Sequence, residues 1–300
     1  MGIKSTLLEI YDKKYKGLMI FTIVLLFLAI GVLGYNYATT GEFVKKGVSL
    51  KGGITITIPV DTDIDTGVLK TDLQDRLPKA DIEIRRLTEA GMLVSIIIEA
   101  SDIDEDALKN AVIESKLIEL KEDNYTIESM GSSLGASFFR QTIIAVILAF
   151  LAMGLVVLIT FRSWVPSLFV ILAATSDILC TLAAVSLLGM KLTTAGVAAF
   201  LMLIGYSVDT DILLTSRVLK RKEGTIFERI LGSMKTGMTM SITSFIAALL
   251  AYIFTSSDII KQIMIIIVIG LFFDMLNTWI QNTGILRWYL ERKQKKHGEN

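Results

Sequence analysis

The feature that most limits what this chain can fold into is a stretch from Gly17 to Gly41 without a single charged side chain. A helix needs ~20 consecutive apolar residues to span the hydrocarbon core of a membrane. Similar stretches recur throughout the second half of the chain, and 52% of all residues are hydrophobic. This composition is too apolar for a soluble domain of 300 residues, so the sequence indicates an integral membrane protein.

We predict six membrane-spanning helices. The first is retained, because a cleaved signal peptide has a shorter apolar region and a small-residue cleavage site. The predicted spans are 18–38, 141–161, 163–190, 192–215, 236–257 and 259–286. If both termini lie inside, the inside segments, which include a basic loop over 217–235, carry 16 Lys and Arg residues, whereas the short outside loops carry only Lys191 and Lys261. The positive-inside rule therefore predicts a multi-pass protein of the cell membrane with cytoplasmic termini.

The charge distribution divides the chain into four parts. Residues 1–41 form the cytoplasmic N-terminus and the first span, and residues 42–139 form an extracytoplasmic domain. Residues 140–290 form a bundle of five further spans, and residues 291–300 form a basic cytoplasmic tail. The segment 42–139 holds 19 acidic and 11 basic residues, a net charge of 11 − 19 = −8, which is typical of a solvated, folded surface.

The extracytoplasmic segment has the pattern of a small α+β domain. Alternation of Ile and Thr in 52–60 predicts a strand with one buried face. A helix over 65–77 follows, then two strands around a turn at 89–91, an amphipathic helix over 102–118 and a last strand at 125–129. The order β-α-β-β-α-β predicts a ferredoxin-like domain between the first and second spans.

Four carboxyl groups fall within predicted spans, at Asp177, Asp209, Asp211 and Asp274. Placing one charged side chain in a bilayer costs at least ~2.5–3.5 kcal/mol, and such residues often take part in proton or ion relays. We expect all four to form a polar interior with functional weight on Asp209. Two alternatives remain. One is a hydrogen-bond network that only fixes packing, and the other is a position of Asp209 and Asp211 near the helix end, close to water and Arg217, which suits Asp211 better than Asp209.

Residues near these carboxyl groups are expected to support the polar interior. Arg217 is expected to anchor the inner end of the fourth span. Helical spacing puts Asp209 and Asp211 on nearly opposite faces, with Asp211 one turn from Ser207. Close helix approach and hydrogen bonding to a carboxylate are the roles expected of Gly205 and Tyr206. The sixth span adds a polar run, which comprises Asn277, Thr278, Gln281, Asn282 and Thr283.

The sequence offers little support for an enzyme. The single histidine, His297, lies in the polar tail, so no span supplies the histidine of a serine or metal-dependent intramembrane protease. The GxGD aspartate element of membrane aspartyl proteases and the GxxxxGK[ST] phosphate loop are missing. The single cysteine, Cys180, excludes a disulfide framework. We expect no catalytic residue, no cofactor, no metal and no nucleic-acid partner.

At these residues the chain resembles the SecF family, whose members are the smaller partners of SecD in the protein-export machinery. Four stretches carry the resemblance across essentially the whole chain: GVSLKGG at 47–53, MGSSLGASF at 130–138, SDILCTL at 176–182 and IGYSVDTDILLTSR at 204–217. Within the first stretch, the family's glycine and apolar positions correspond to Gly47, Leu50, Gly52 and Gly53. The short external domain and Asp274 look more similar to archaeal members than to bacterial ones.

This chain departs from the family pattern at four places. The triplet at 209–211 looks more like the SecD version at its first position than the Asn-Asp-Thr usual in SecF. Ser49 stands where the first element usually has Asp, and Ser176 stands where the third often has His. The family's fifth span carries an Arg linked to proton passage in bacterial proteins, and alignment puts Thr236 there, with Lys235 one residue away. Whether Lys235 replaces that Arg is left open by the sequence.

The resemblance implies an accessory subunit of the Sec translocase. The implied partners are a SecD-like membrane protein in a heterodimer, the Sec channel subunits, the exported polypeptide and membrane lipids. An ion gradient would drive a movement of the external domain late in export. Asp209→Asn is expected to lower export without loss of the complex. The alternatives are half of a superfamily-related transporter for small molecules or lipids, and a scaffolding membrane subunit.

Overall fold

The computed structural model describes residues 3–60, 64–89, 92–118, 120, 124–220, 223–255 and 257–297. Before the small sheet lie α1 (Ile3–Lys13), α2 (Tyr15–Thr40) and the short α3 (Val48–Lys51). The sheet region comprises β1 (Gly53–Pro59), α4 (Thr66–Arg76), β2 (Asp81–Glu89), β3 (Met92–Ser101), α5 (Glu105–Ser115) and β4 (Thr126–Met130). Long helices follow: α6 (Ser132–Phe161), α7 (Trp164–Leu187), α8 (Thr194–Lys220), α9 (Ile226–Phe254) and α10 (Asp258–Leu276), then a π-helical segment (Asn277–Asn282) and α11 (Thr283–His297).

Six helices within the described residues are long and apolar enough to cross a membrane, as the sequence predicted. They are α2, α6, α7, α8, α9 and the continuous stretch from α10 into α11. The prediction of a loop over 217–235 is wrong: most of this segment is helical, because α8 ends at Lys220 and α9 begins at Ile226. Helix α6 begins at Ser132, before the predicted span at 141–161.

The early start of α9 has a local cause. The Thr225 hydroxyl accepts a hydrogen bond from the Glu228 backbone N–H, and the Glu228 carboxylate accepts one from the Thr225 N–H. This reciprocal capping box satisfies two of the free N–H groups at the helix start. Hydropathy predicts where a helix enters the membrane, whereas the cap decides where the helix begins.

The four strands form one antiparallel sheet in the order β2-β3-β1-β4. The predicted alternation in the first strand is confirmed, since Ile54, Ile56 and Ile58 are buried while the residues between them are partly exposed. These isoleucines share an apolar core with residues of α4 and α5, so both helices cover one face of the sheet. The predicted turn at 89–91 lies largely outside the described residues.

A compact joint connects the sheet to the helical bundle. Backbone hydrogen bonds link Gly47 N–H to the Leu192 carbonyl and Leu192 N–H to the Lys45 carbonyl, both at 2.8 Å. Gly52 has a φ of 89°, and a Cβ atom there would collide with the backbone of Ser132 at the start of α6. The stretches that begin at Gly47 and at Met130 therefore meet at the same end of the bundle, next to the sheet.

One buried apolar side chain, one hydrogen bond and two ion pairs add to this joint. Leu50 is fully buried beneath the joint. The Ser49 hydroxyl accepts a hydrogen bond from the Thr194 N–H at 3.1 Å, at the start of α8. Lys191, in the α7–α8 connection, forms ion pairs with Asp81 at 2.9 Å and Glu83 at 3.0 Å on β2.

Candidate functional site

Three of the four predicted carboxyl groups lie in the interior of the bundle. Asp177 on α7, Asp211 on α8 and Asp274 on α10 each have 0% of their surface exposed. Within the described residues, no lysine or arginine forms a salt bridge with any of them. A buried charge without a counter-charge is costly, so hydrogen-bond donors or protons must stabilise this cluster. We call these three residues the carboxyl cluster.

The π-helical segment supplies most of the donors. A π-helix has i→i+5 hydrogen bonds and is rare, and its single turns occur frequently at functional sites. Here the wider turn buries two consecutive pairs of polar side chains, Asn277 with Thr278 and Gln281 with Asn282. The sequence showed these polar residues, but not the π-helix that carries them.

Each carboxyl group has its own donors. The Ser207 hydroxyl donates to Asp177 Oδ2 at 2.5 Å, and the Asn277 amide donates to Asp177 Oδ1 at 2.8 Å. The Asn282 amide donates to Asp211 Oδ1 at 2.7 Å. Ser207 and Asn277 thus lie at the cluster as the sequence predicted.

Thr278 connects two members of the cluster. Its hydroxyl lies 3.0 Å from Asp211 Oδ1 and 3.1 Å from Asp274 Oδ1. A hydroxyl has one proton to donate, although its oxygen also accepts. Both contacts are therefore hydrogen bonds at the same time only when one of the two carboxyl groups is protonated and donates to Thr278. The geometry suits a proton that is held between Asp211 and Asp274.

Thr210 was missed by the sequence analysis. Its hydroxyl lies 3.1 Å from Asp274 Oδ1 and 2.9 Å from the Ser207 carbonyl. The residue stands between Asp209 and Asp211, and its position three residues after Ser207 on the same helical face was the available signal.

The cluster contains more acceptors than donors. Among the buried side-chain atoms without a hydrogen-bond partner in the described part of the chain, four are oxygens of the cluster and of the π-helical segment: Asp211 Oδ2, Asn277 Oδ1, Gln281 Oε1 and Asn282 Oδ1. Buried polar atoms are nearly always paired, and each unpaired one costs free energy. A protonated carboxyl group adds a donor to this set. The arrangement therefore favours uptake of protons over accumulation of negative charge.

The structure corrects the expected position of Asp209. Its side chain is exposed on the outer surface of α8, away from the carboxyl cluster, which confirms the opposite facing of Asp209 and Asp211. Met202, Gly205 and Tyr206 are exposed on the same stripe. None of the other described residues has an atom within 4 Å of where a Gly205 Cβ would stand, so no described helix makes the close approach that the sequence predicted. We call these four residues the outer stripe of α8.

Arg217 ties the end of α8 to α9. Its guanidinium donates to the Gly232 carbonyl at 3.0 Å and to the Thr236 hydroxyl at 2.9 Å. Lys235, the candidate replacement for the family's Arg, is exposed. The cationic group in contact with Thr236 is thus Arg217 rather than Lys235.

The comparisons with known proteins agree on one family. The model of the family described as "Protein export membrane protein SecD/SecF, C-terminal" matches residues 112–292. The chain is 37% identical to SecF of Methanocaldococcus jannaschii over 95% of its length and 99% of that protein. It is 34% identical to SecF of Pyrococcus furiosus over 98% of its length and 97% of that protein.

Solved structures give the same fold. The crystal structure of SecDF, a translocon-associated membrane protein from Thermus thermophilus, superimposes with a TM-score of 0.70 at 19% identity. The match covers 92% of this chain and 38% of that chain. A second SecDF structure, in a super-membrane-facing form, gives a TM-score of 0.59. The chain therefore spans well under half the length of the solved SecDF chains.

Proposed function

Because the chain belongs to the SecF family and is an accessory membrane subunit of Sec-dependent protein export, we propose that its carboxyl cluster couples export to an ion gradient. One observation carries the proposal: three carboxyl groups from three helices are buried together, two of them share the Thr278 hydroxyl, and none has a cationic partner among the described residues. Protonation would remove charge from the interior and add a missing donor. Deprotonation would restore repulsion among α7, α8 and α10, so the charge state biases how these helices pack.

A SecD-like protein is the proposed partner, and the outer stripe of α8 is its proposed contact. An ionised Asp209 facing lipid at membrane depth would cost several kcal/mol (~2.5–3.5 on the insertion scale), whereas a partner helix could supply a hydrogen-bonding group. Gly205 leaves room for that helix, because small residues allow two helix backbones to approach closely. Asp209 would then act in assembly, and the carboxyl cluster in coupling.

The sheet with its two helices is proposed to be a ferredoxin-like domain outside the membrane, with both termini in the cytoplasm. Its strand order and antiparallel pairing agree with the split β-α-β plan. In this orientation, the joint at Gly47 and Gly52 would transmit helix movement to the domain. The Sec channel, the exported polypeptide and membrane lipids are the further proposed partners, with no catalytic role, cofactor or nucleic acid.

The test compares Asp211→Asn with Asp209→Asn in cells that lack the native protein. Export is followed in membrane vesicles with the proton or sodium gradient intact or collapsed by the matching ionophore. We expect Asp211→Asn to retain its partner on purification but to lose the gradient-dependent part of export. Full gradient dependence in Asp211→Asn and in Asp274→Asn would refute coupling through the cluster.

A further inference from the structure

The N-terminal helix α1 reaches the π-helical segment from outside the bundle. The Tyr11 hydroxyl donates a hydrogen bond of 2.5 Å to the backbone carbonyl of Trp279, 268 positions away in sequence. Trp279 directly follows Thr278, whose hydroxyl connects Asp211 and Asp274. A side chain near the chain's beginning therefore contacts the backbone that carries the central donor of the carboxyl cluster.

Trp279 is held from a second side as well. Its ring is buried against α9 at Gly237, where an added Cβ atom would collide with the indole. The ring is thus fixed by packing, and the main-chain carbonyl is fixed by the Tyr11 hydroxyl. Together these contacts leave the π-helical turn little freedom to rotate about its axis.

The rest of α1 and the start of α2 are tied to the helix that follows the π-helical segment. Arg287 forms an ion pair with Asp12 at 2.7 Å, and the Tyr15 hydroxyl donates to Glu291 at 2.6 Å. These contacts fix the N-terminal segment to α11. Among the described residues of this segment, Tyr11 is the one whose side chain donates a hydrogen bond to the π-helical backbone.

The Tyr11 contact does not switch with pH. Burial raises the pKa of the Tyr11 hydroxyl to about 12, above its ordinary value of 10.0. The hydroxyl therefore keeps its proton at any physiological pH and remains a donor. This hydrogen bond therefore persists while the carboxyl groups of the cluster gain or lose protons.

We propose that Tyr11 is a positioning residue: its hydroxyl holds the π-helical segment in the register that presents Thr278 and Asn282 to Asp211, a role that rests on the coupling function proposed above. An α-helical turn in place of the π-helical one would change the angle at which Thr278 and Asn282 meet Asp211. Loss of the Tyr11 hydroxyl would therefore change the hydrogen bonds of the carboxyl cluster indirectly, through the π-helical backbone.

The experiment measures the cluster directly, independently of export. The purified protein with its partner is treated with a hydrophobic carbodiimide, which modifies protonated carboxyl groups, over a range of pH. Mass spectrometry follows the modification of Asp211 and Asp274. The variant is Tyr11→Phe, and the matched control is Tyr15→Phe, which removes a hydroxyl from the same segment but not from the π-helical backbone.

We expect Tyr11→Phe to move the pH midpoint of Asp211 labelling by about half a unit or more, since one hydrogen bond is worth about that much. Tyr15→Phe should leave the midpoint unchanged. A Tyr11→Phe midpoint equal to that of the unmodified protein overturns the proposal. If Tyr11→Phe is not recovered as a complex, 4-fluorophenylalanine at the same position fills the space of the hydroxyl without donating a hydrogen bond, and an unmoved midpoint again overturns the proposal.

Failure of this inference differs from failure of the proposed function. A midpoint that moves in Tyr11→Phe, with gradient-dependent export intact in Asp211→Asn, supports the positioning role and rejects coupling. An unmoved midpoint, with gradient dependence lost in Asp211→Asn, supports coupling and rejects the positioning role.

Discussion

Replacing Thr278 by valine tests the carboxyl cluster at its shared point. Valine keeps the branched shape and removes the one hydroxyl that lies within 3.1 Å of both Asp211 and Asp274. Asp211 Oδ1 then retains only the Asn282 amide, and Asp274 Oδ1 retains only the Thr210 hydroxyl. The change therefore removes a bridge without removing a carboxyl group.

The size of the effect follows from the hydrogen bonds lost. The hydroxyl has one proton, so at most one donated bond and one accepted bond disappear. Side-chain hydrogen bonds between membrane helices average ~0.6 kcal/mol, with a maximum near ~1.7. We expect Thr278→Val to lower the free energy of unfolding in mixed micelles by an amount within this range. Such a decrease is equivalent to a ~3-fold to ~20-fold change in the unfolding equilibrium constant.

A matched control separates this bridge from the general loss of a buried hydroxyl. Thr181 is also fully buried, but its hydroxyl donates to the Asp177 backbone carbonyl within its own helix at 2.6 Å. Thr181→Val should cost less than Thr278→Val and leave the gradient dependence of export unchanged. Equal stability and equal gradient dependence in the two variants would refute the idea that Thr278 links the carboxyl groups.

Three further perturbations address other parts of the molecule. Asp209→Asn should reduce recovery of the SecD-like partner in a mild-detergent pull-down while the isolated chain keeps its thermal stability; unchanged recovery would place Asp209 outside the interface. Gly237→Ala should lower the free energy of unfolding by about 1–3 kcal/mol, since the new methyl group meets the Trp279 ring, and no loss would contradict that packing. Lys191→Met should speed hydrogen exchange in the strand β2 that carries both its carboxylate partners, and the same exchange as in the unmodified protein would show that the ion pairs do not hold the domain in place.

The spans could be predicted from the sequence because charged side chains are costly in a bilayer, so each span is a long stretch with few or no charged residues. The ends of helices were harder to place. Helix α9 begins inside a basic region, and the T-x-x-E pattern at Thr225 and Glu228 was the local signal that hydropathy could not show.

The face of α8 that points inward was predicted only in part. Helical geometry separates Asp209 from Asp211, but it does not say which stripe meets other helices, because that depends on how α7 and α10 pack. The prediction that Asp209 lies in the polar interior was wrong. Of the two aspartates on α8, only Asp211 lies there. The π-helical turn was also beyond the sequence, since Asn277 and Gln281 have the spacing of an ordinary α-helix.

The joint at Leu192 has a mechanical consequence. The segment that leaves α2 is bonded on both sides of this residue, at the connection that leads into α8, whereas Gly52 abuts the first turn of α6. A pulling force on the sheet is therefore transmitted to the first turns of α6 and α8 at once, instead of being taken up by a flexible linker. Helix α8 also carries Asp211 in its second half, so tension at its start and a change of charge at Asp211 act on the same helix.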